Sequence, residues 1–154
     1  VIREKFTIGP SEDAKRIRQE VFVEEQGFKD EFDDDDPSSL SLVLYLDDEP
    51  LGTARIVKVD PETYKLGRVA VRKKYRGQKV GTYLIKFMEV KARTMGCRKL
   101  ITDAQLDKMG FYESVGFKED PNGEVFLEEG VPHMRMSKEI VRIRKKISRR
   151  PKLD

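Results

Sequence analysis

The sequence predicts a mixed α/β (α+β) domain. Its single twisted, mostly antiparallel sheet is flanked by helices and has a parallel βαβ unit at its centre. Three observations carry this. Residues 64–71 read as a strand that runs into a glycine-bearing turn, Arg76-Gly77-Gln78-Lys79-Val80-Gly81. That turn opens a one-faced apolar helix, and 98–104 reads as the next strand. Residues 40–46 and 51–59 are two apolar runs joined by Asp47-Asp48-Glu49-Pro50, a hairpin signal. Helix and strand signals then alternate along all 154 residues without an internal repeat.

Taken in order, residues 2–8 suit an edge strand, with Ile2, Phe6 and Ile8 apolar. Ser11 can cap the next helix, and Glu12 and Asp13 favour its positive end. Ile17, Val21 and Phe22 continue it at helical spacing to about Gly27. Residues 30–36 hold six acids in seven positions and read as a loop. After the hairpin and the strand at 64–71, the second helix carries Val80, Leu84, Phe87, Met88, Ala92 and Met95 on one face and stops near Gly96. The strands flanking it should be parallel, with a right-handed crossover. A short helix at 108–115 follows. Two strands close the domain, one starting at Phe117 and one at 131–137, separated by the turn Pro121-Asn122-Gly123.

Composition bounds the function. One domain of this length can bury a proper core. No stretch reaches the roughly 18 apolar residues of a membrane helix, and residues 1–6 show no signal-peptide pattern. Cys97 is the only cysteine, which fits a reducing, cytoplasmic setting and a packing role. The net charge is +3, but residues 141–154 hold seven Lys or Arg against one Asp. Subtracting that +6 leaves a body of net −3. The expected division is therefore a domain at 1–138 and a basic helix or tail at 139–154, with Ile140, Ile143 and Ile147 on one side.

The chemistry concentrates between residues 67 and 117. A strand that feeds a glycine-bearing turn into a helix N-terminus can hold a pyrophosphate, because free N–H groups and the helix dipole favour negative charge there. Residues 77–82 (Gly77, Gln78, Lys79, Val80, Gly81 and Thr82) would supply those groups. The plainer alternative is a solvated basic loop of Arg72, Lys73, Lys74 and Arg76. Downstream, Tyr112 in Gly110-Phe111-Tyr112-Glu113 can protonate a leaving group or serve as a packing aromatic.

Val69-Ala70-Val71, Arg76-Gly77-x-x-x-Gly81 and Phe111-Tyr112-Glu113-x-x-Gly116-Phe117 together resemble the GNAT superfamily of acetyl-CoA-dependent N-acetyltransferases. Ile17-Arg18-x-x-Val21-Phe22-Val23-x-Glu25-Gln26, Ala104-Gln105 and Glu124-x-Phe126-x-Glu128-x-Gly130-Val131-Pro132-His133 resemble its ElaA-like branch. The resemblance implies acetyl-CoA as donor, an amine acceptor, direct attack in a ternary complex and no metal. It implies that Val69, Ala70 and Val71 offer main-chain bonds to the pantetheine arm where the parallel strands splay after a bulge. It also implies that Arg76 and residues 77–82 hold the pyrophosphate, that Gln105 contacts the cofactor or the tyrosine, and that Tyr112 is the general acid. Lys79 replaces the first glycine of the family's turn, which puts the turn's shape in question more than its binding. Relatives are often dimers, so a homodimer is left open.

The acceptor side is read more coarsely. Glu25, Gln26, Asp103 and His133 are the candidates to line it, and Glu25, Asp103 and His133 are alternative bases. The branch usually has His where Asp103 stands, and His133 is the sole histidine. Counted from Asp33, the glycine and glutamate positions of a calcium loop fall on Ser38 and Leu44, so the acidic run is not of that type. It reads as a solvated loop, or as a lure for cationic amines. Two rival readings stand beside the enzyme. One is a nucleic-acid or partner-binding module led by the basic tail, which lacks interleaved aromatics. The other is a domain that binds CoA without catalysis.

Overall fold

The computed structural model describes residues 1–29 and 31–141. Its strands are β1 (Ile2–Ile8), β2 (Leu40–Leu46), β3 (Glu49–Lys58), β4 (Thr63–Val71), β5 (Lys99–Gln105), β6 (Lys118–Glu119), β7 (Phe126–Glu128) and β8 (Val131–Glu139). They form one sheet in the order β1-β2-β3-β4-β5-β8-β6, with β7 added on β8. Only β4 and β5 run parallel. The helices are α1 (Glu12–Arg18), α2 (Val80–Thr94) and α3 (Met109–Ser114). This is the expected mixed sheet, with β4–α2–β5 as its central unit. Three strands follow α3 where the sequence predicts two, because β7 is three residues long and too short to show alternation.

The sheet is covered on both faces, and β2 shows why its sequence is an unbroken apolar run. Leu42 and Leu44 point into the cluster with Leu84, Ile85 and Met88 of α2. Val43 and Tyr45 point the other way, onto Ala14, Ile17, Val21 and Phe22 of the first helix. Period-two alternation delivers each residue to a different core. On α2, Ile85 takes an inward position, and Met95, expected inside, is 43% exposed just past the last turn. Cys97 is buried, and burial pushes its thiol up, in keeping with a packing role.

Ser11 caps α1, its hydroxyl accepting the Ala14 N–H at 3.2 Å. Beyond Arg18 the helix widens into a π-helical stretch, Gln19–Glu25, and the Gln26 N–H reaches back five residues to the Val21 carbonyl. Such stretches are rare and concentrate at functional sites. This one ends with Glu25 and Gln26 on the rim of the cleft described below.

The acidic run is a solvated loop only in part, at the exposed Asp33, Asp34 and Asp35. Glu31 and Asp36 are buried with Arg18 and Arg55. Arg18 donates to Glu31 Oε1 and Asp36 Oδ1, both at 2.7 Å, and Arg55 donates to Asp33 Oδ1 at 2.7 Å and Asp36 Oδ1 at 2.8 Å. Arg68 closes the set, with its Nε 3.0 Å from Glu31 Oε1 and its Nη2 3.1 Å from Asp33 Oδ2. Three guanidinium groups meet three carboxylates. The Arg55 hydrogen bond holds the Asp33 carboxyl at about 2, whereas burial pushes Glu31 up against the pull of Arg68 and Arg18. Asp30 lies outside the described residues, as does the basic segment from Arg142 onward. Glu139 closes β8 and Ile140 is buried. No described helix is long and apolar enough to cross a membrane.

Arg18 is 2% exposed and touches both Glu31 and Asp36. Arg18→Ala would leave Glu31 with Arg68 alone and Asp36 with Arg55 alone among the guanidinium groups, and the expected loss is about 3–5 kcal/mol of unfolding free energy. Urea denaturation of the variant beside the wild type measures it. A midpoint unchanged with the same slope would show that the network contributes no net stability.

Candidate active site

β4 and β5 pair only over Thr63–Leu66 and Lys99–Thr102. The Thr102 hydroxyl donates to the Leu66 carbonyl at 2.9 Å where pairing stops. The two strands then part, and the cause lies in β4. Its register with β3 shifts between Thr53 and Arg55, so that two residues, Arg68 and Val69, stand opposite Ala54. That is a bulge, with Arg68 at φ 53°. The gap is a cleft of about 660 Å³ between the splayed strands, the first helix, the N-terminus of α2 and the β7–β8 turn.

The ladder fixes where the main chain of β4 points. The Arg72 N–H donates to the Leu51 carbonyl across to β3. By antiparallel alternation Ala70 also faces β3, and Val69 and Val71 turn their N–H and C=O groups into the cleft. One consequence is visible: the Val71 carbonyl accepts from Arg76 Nε at 2.9 Å.

At one end of the cleft, Gly77 (φ 78°) and Lys79 (φ 66°) both adopt left-handed backbone, and Lys79 is the N-cap of α2. Lys79 therefore keeps the dihedral that glycine usually supplies, at a local cost of about 1–2 kcal/mol. A Cβ on Gly81 would stand 3.1 Å from the Phe111 ring, so a small residue is what lets α3 close on the helix start. Of the residues expected around the cofactor, Gln78 alone does not line the cleft. Arg76 is already engaged: its guanidinium forks onto the Glu25 carboxylate, with Nη2 to Oε1 at 2.7 Å.

Tyr112 is buried, edge-on to Phe111 and Phe117. Desolvation pushes its phenol up to about 12, against a hydrogen bond with Thr102. It borders the cleft and stays protonated throughout the neutral range. Gln105 Nε2 donates to Gln26 Oε1 at 3.1 Å, tying β5 to the first helix across the opening.

Glu25, Gln26, Asp103 and His133, the candidates for the acceptor side, line the same cleft, with Glu25 beside Arg76 at the helix end, and their chemistry differs. The Arg76 hydrogen bond holds the Glu25 carboxyl below its usual range. Asp103 is half-buried, and although burial pushes it up, Arg135 and Lys65 bring its carboxyl below the usual range. His133 is 5% exposed, with Nδ1 2.7 Å from the Val131 carbonyl. Phe28, Lys65, Arg68, Lys108, Glu128 and Glu129 also line the cleft, and none of them was given a site role from sequence. Glu129 accepts the Lys29 N–H at 3.1 Å, a second tie across the opening. Only the Glu128–Glu129–Gly130 turn left a trace in sequence. Among the described residues, no group of three or more His, Cys, Asp or Glu side chains could hold a metal ion.

The profile of the Acetyltransferase (GNAT) family matches residues 10–117. The Escherichia coli protein ElaA is 34% identical over 132 residues, covering 82% of this chain and 85% of its own. Its crystal structure superposes with a TM-score of 0.78 over 90% of this chain and 100% of ElaA. A Lactobacillus plantarum structure provisionally assigned as an N-acetyltransferase gives a TM-score of 0.83 at 31% identity, covering 92% and 99% of the two chains. A GNAT family acetyltransferase of Elizabethkingia anophelis, solved with acetyl-CoA bound, shares the fold at 18% identity and a TM-score of 0.71, covering 90% and 97%.

The left-handed Lys79 yields a stability test. Lys79→Gly removes the Cβ penalty and adds chain entropy to the unfolded state, for a net gain of about 0.5–1 kcal/mol. Thermal denaturation should show a midpoint a few degrees higher. A lower midpoint would mean that the lysine side chain, not its backbone, holds the turn.

Proposed function

The chain belongs to the GNAT acetyltransferase family, and on that premise we propose that it moves the acetyl group of acetyl-CoA directly onto a primary amine. A small amine or polyamine is the first acceptor class and a peptide amine the second. One observation carries the reading. The splay of β4 from β5 leaves Val69 and Val71 facing a cleft that has a helix N-terminus at one end and a buried, protonated Tyr112 on its wall.

The residues present suit the donor. Main-chain groups of Val69 and Val71 match an extended amide-bearing arm as an added strand would. The tight approach of Gly81 to Phe111 keeps the start of α2 open, and the N–H groups of residues 77–82 with the helix dipole favour a pyrophosphate. When bound, acetyl-CoA supplies an activated thioester. The chain then orients that carbonyl with a main-chain N–H at the end of β4, which stabilises the oxyanion formed on attack. Tyr112 donates its proton to the departing sulfur. The catalytic unit in this reading is 1–138, and the basic segment 139–154 takes no part in the reaction.

Two measurements test this. Tyr112→Phe should lower kcat about 10²- to 10⁴-fold with spermidine as probe acceptor and leave acetyl-CoA affinity within about two-fold. Unchanged turnover would remove the phenol from the chemistry. Glu25→Gln should free Arg76 for the phosphates and tighten acetyl-CoA binding about two- to five-fold, the worth of a half-exposed ion pair. Calorimetric titration reads both affinities, and weaker binding in Glu25→Gln would mean that the pair orders the turn instead of competing with it.

A further inference from the structure

Direct transfer to an amine needs a group that removes protons from the attacking nitrogen, and the three candidate bases, Glu25, Asp103 and His133, all line the cleft. Two of them are carboxylates already committed to cations. Glu25 accepts both arms of Arg76. Asp103 is shared between Arg135 and Lys65, the latter at 2.9 Å. Removing a proton with either would first require breaking its ion pair.

His133 is arranged differently. Nδ1 lies 2.7 Å from the Val131 carbonyl oxygen. A carbonyl can only accept, so the neutral ring carries its proton on Nδ1 and its lone pair on Nε2. Nε2 stands 3.5 Å from Glu128 Oε2, beyond a good hydrogen bond but close enough to stabilise a positive ring. Phe126 stacks on the imidazole at 5.7 Å, and Gln105 is its register partner on β5, so the ring is held between two strands. The charged groups around it are Glu128 of β7, Glu129 of the turn, Lys108, Asp103 of β5 with Lys65 of β4 and Arg135 of β8, and Glu25 with Arg76 across the cleft.

Building on the transferase reading above, we propose that His133 is the catalytic base, with Nε2 as the acceptor atom and Glu128 as the positioning residue that holds the imidazolium. An entering ammonium loses one proton through Nε2 to solvent. The neutral nitrogen then forms its bond to the acetyl carbon and gives a second proton to Nε2. The carbon–sulfur bond breaks, sulfur takes the Tyr112 proton, and the imidazolium proton returns through solvent to the tyrosine oxygen. The products are the N-acetylated amine and free CoA thiol, with one proton released for each ammonium consumed.

A sole histidine makes the test clean. In ¹⁵N-labelled full-length protein, the single imidazole should show the Nδ1–H form with an unprotonated Nε2. An Nε2–H form would overturn the assignment before any acceptor is added. His133→Asn keeps a donor for the Val131 carbonyl and removes the base. With spermidine and acetyl-CoA, thiol release should fall about 10²- to 10⁴-fold in kcat/KM, and the acidic limb of its pH profile should vanish. Acetyl-CoA affinity should stay within about two-fold, and Glu128→Gln should shift that limb without removing it. Full activity with an unchanged profile in His133→Asn would overturn the base while leaving acetyl transfer standing. Loss of acetyl-CoA binding in that variant would make His133 structural. A wild type that binds acetyl-CoA yet releases no thiol with spermidine would count against the polyamine reading, and the spectrum would still decide the imidazole.

Discussion

The ionic cluster of Arg18, Glu31, Asp33, Asp36, Arg55 and Arg68 is the constraint on which the cleft depends. It joins four parts of the chain that are distant in sequence: the first helix, the loop after it, β3 and the bulge of β4. Each buried charge costs several kcal/mol to desolvate, so the cluster is favourable only when nearly every donor and acceptor finds its partner. That requirement gives it specificity. The carboxylate of Asp36 accepts from Arg18 and Arg55 and also takes the Asp33 N–H at 2.9 Å. The loop can meet these conditions in few conformations.

Arg68 carries the constraint from the cluster to the cleft. A non-glycine residue at φ 53° is strained unless its surroundings fix it, and its guanidinium is fixed by Glu31 and Asp33. With the bulge held there, β4 turns away from β5 beyond Leu66, and the main chain of Val69 and Val71 is left open to the cleft. The segment 25–29 then spans the opening through Arg76, Gln105 and Glu129. The start of α2, β5 and the β7–β8 turn are thereby linked through one short stretch of chain.

Local features of this arrangement were legible in sequence. The cap at Ser11, the apolar face of α2 and the strand–turn–helix at 67–82 are each decided by neighbouring residues, and each stands where it was expected apart from Ile85 and Met95 of the α2 face. The ion cluster was not legible, since its partners lie 13 to 37 positions apart and an acidic run looks the same whether solvated or paired. The bulge was implied only by the family resemblance, because the residues Gly67-Arg68-Val69 do not by themselves fix where β4 departs from its ladder. The pairing of Glu25 with Arg76, 51 residues away, turned a candidate base into a counter-ion. Lys79 is the intermediate case: its place in the motif put the shape of the turn in question, and the chain adopts left-handed backbone there despite the side chain.

The two ends of the cleft also differ in how they can handle protons. Tyr112 sits among aromatic rings, and the burial that keeps it protonated makes a lasting phenolate costly. In the proposed transfer it gives up its proton only as the sulfur gains charge and only if that proton is restored quickly. A proton source must therefore arise within the same cycle. The attacking nitrogen has one to lose as the C–N bond forms, and the polar wall of Gln105, Glu128 and His133 is where a positive group can be tolerated while it carries that proton. In the proposed reaction, an apolar surround for the acid and a polar wall for the base are thus two parts of one requirement. The acid must hold its proton until the last moment, and the base must give its proton back.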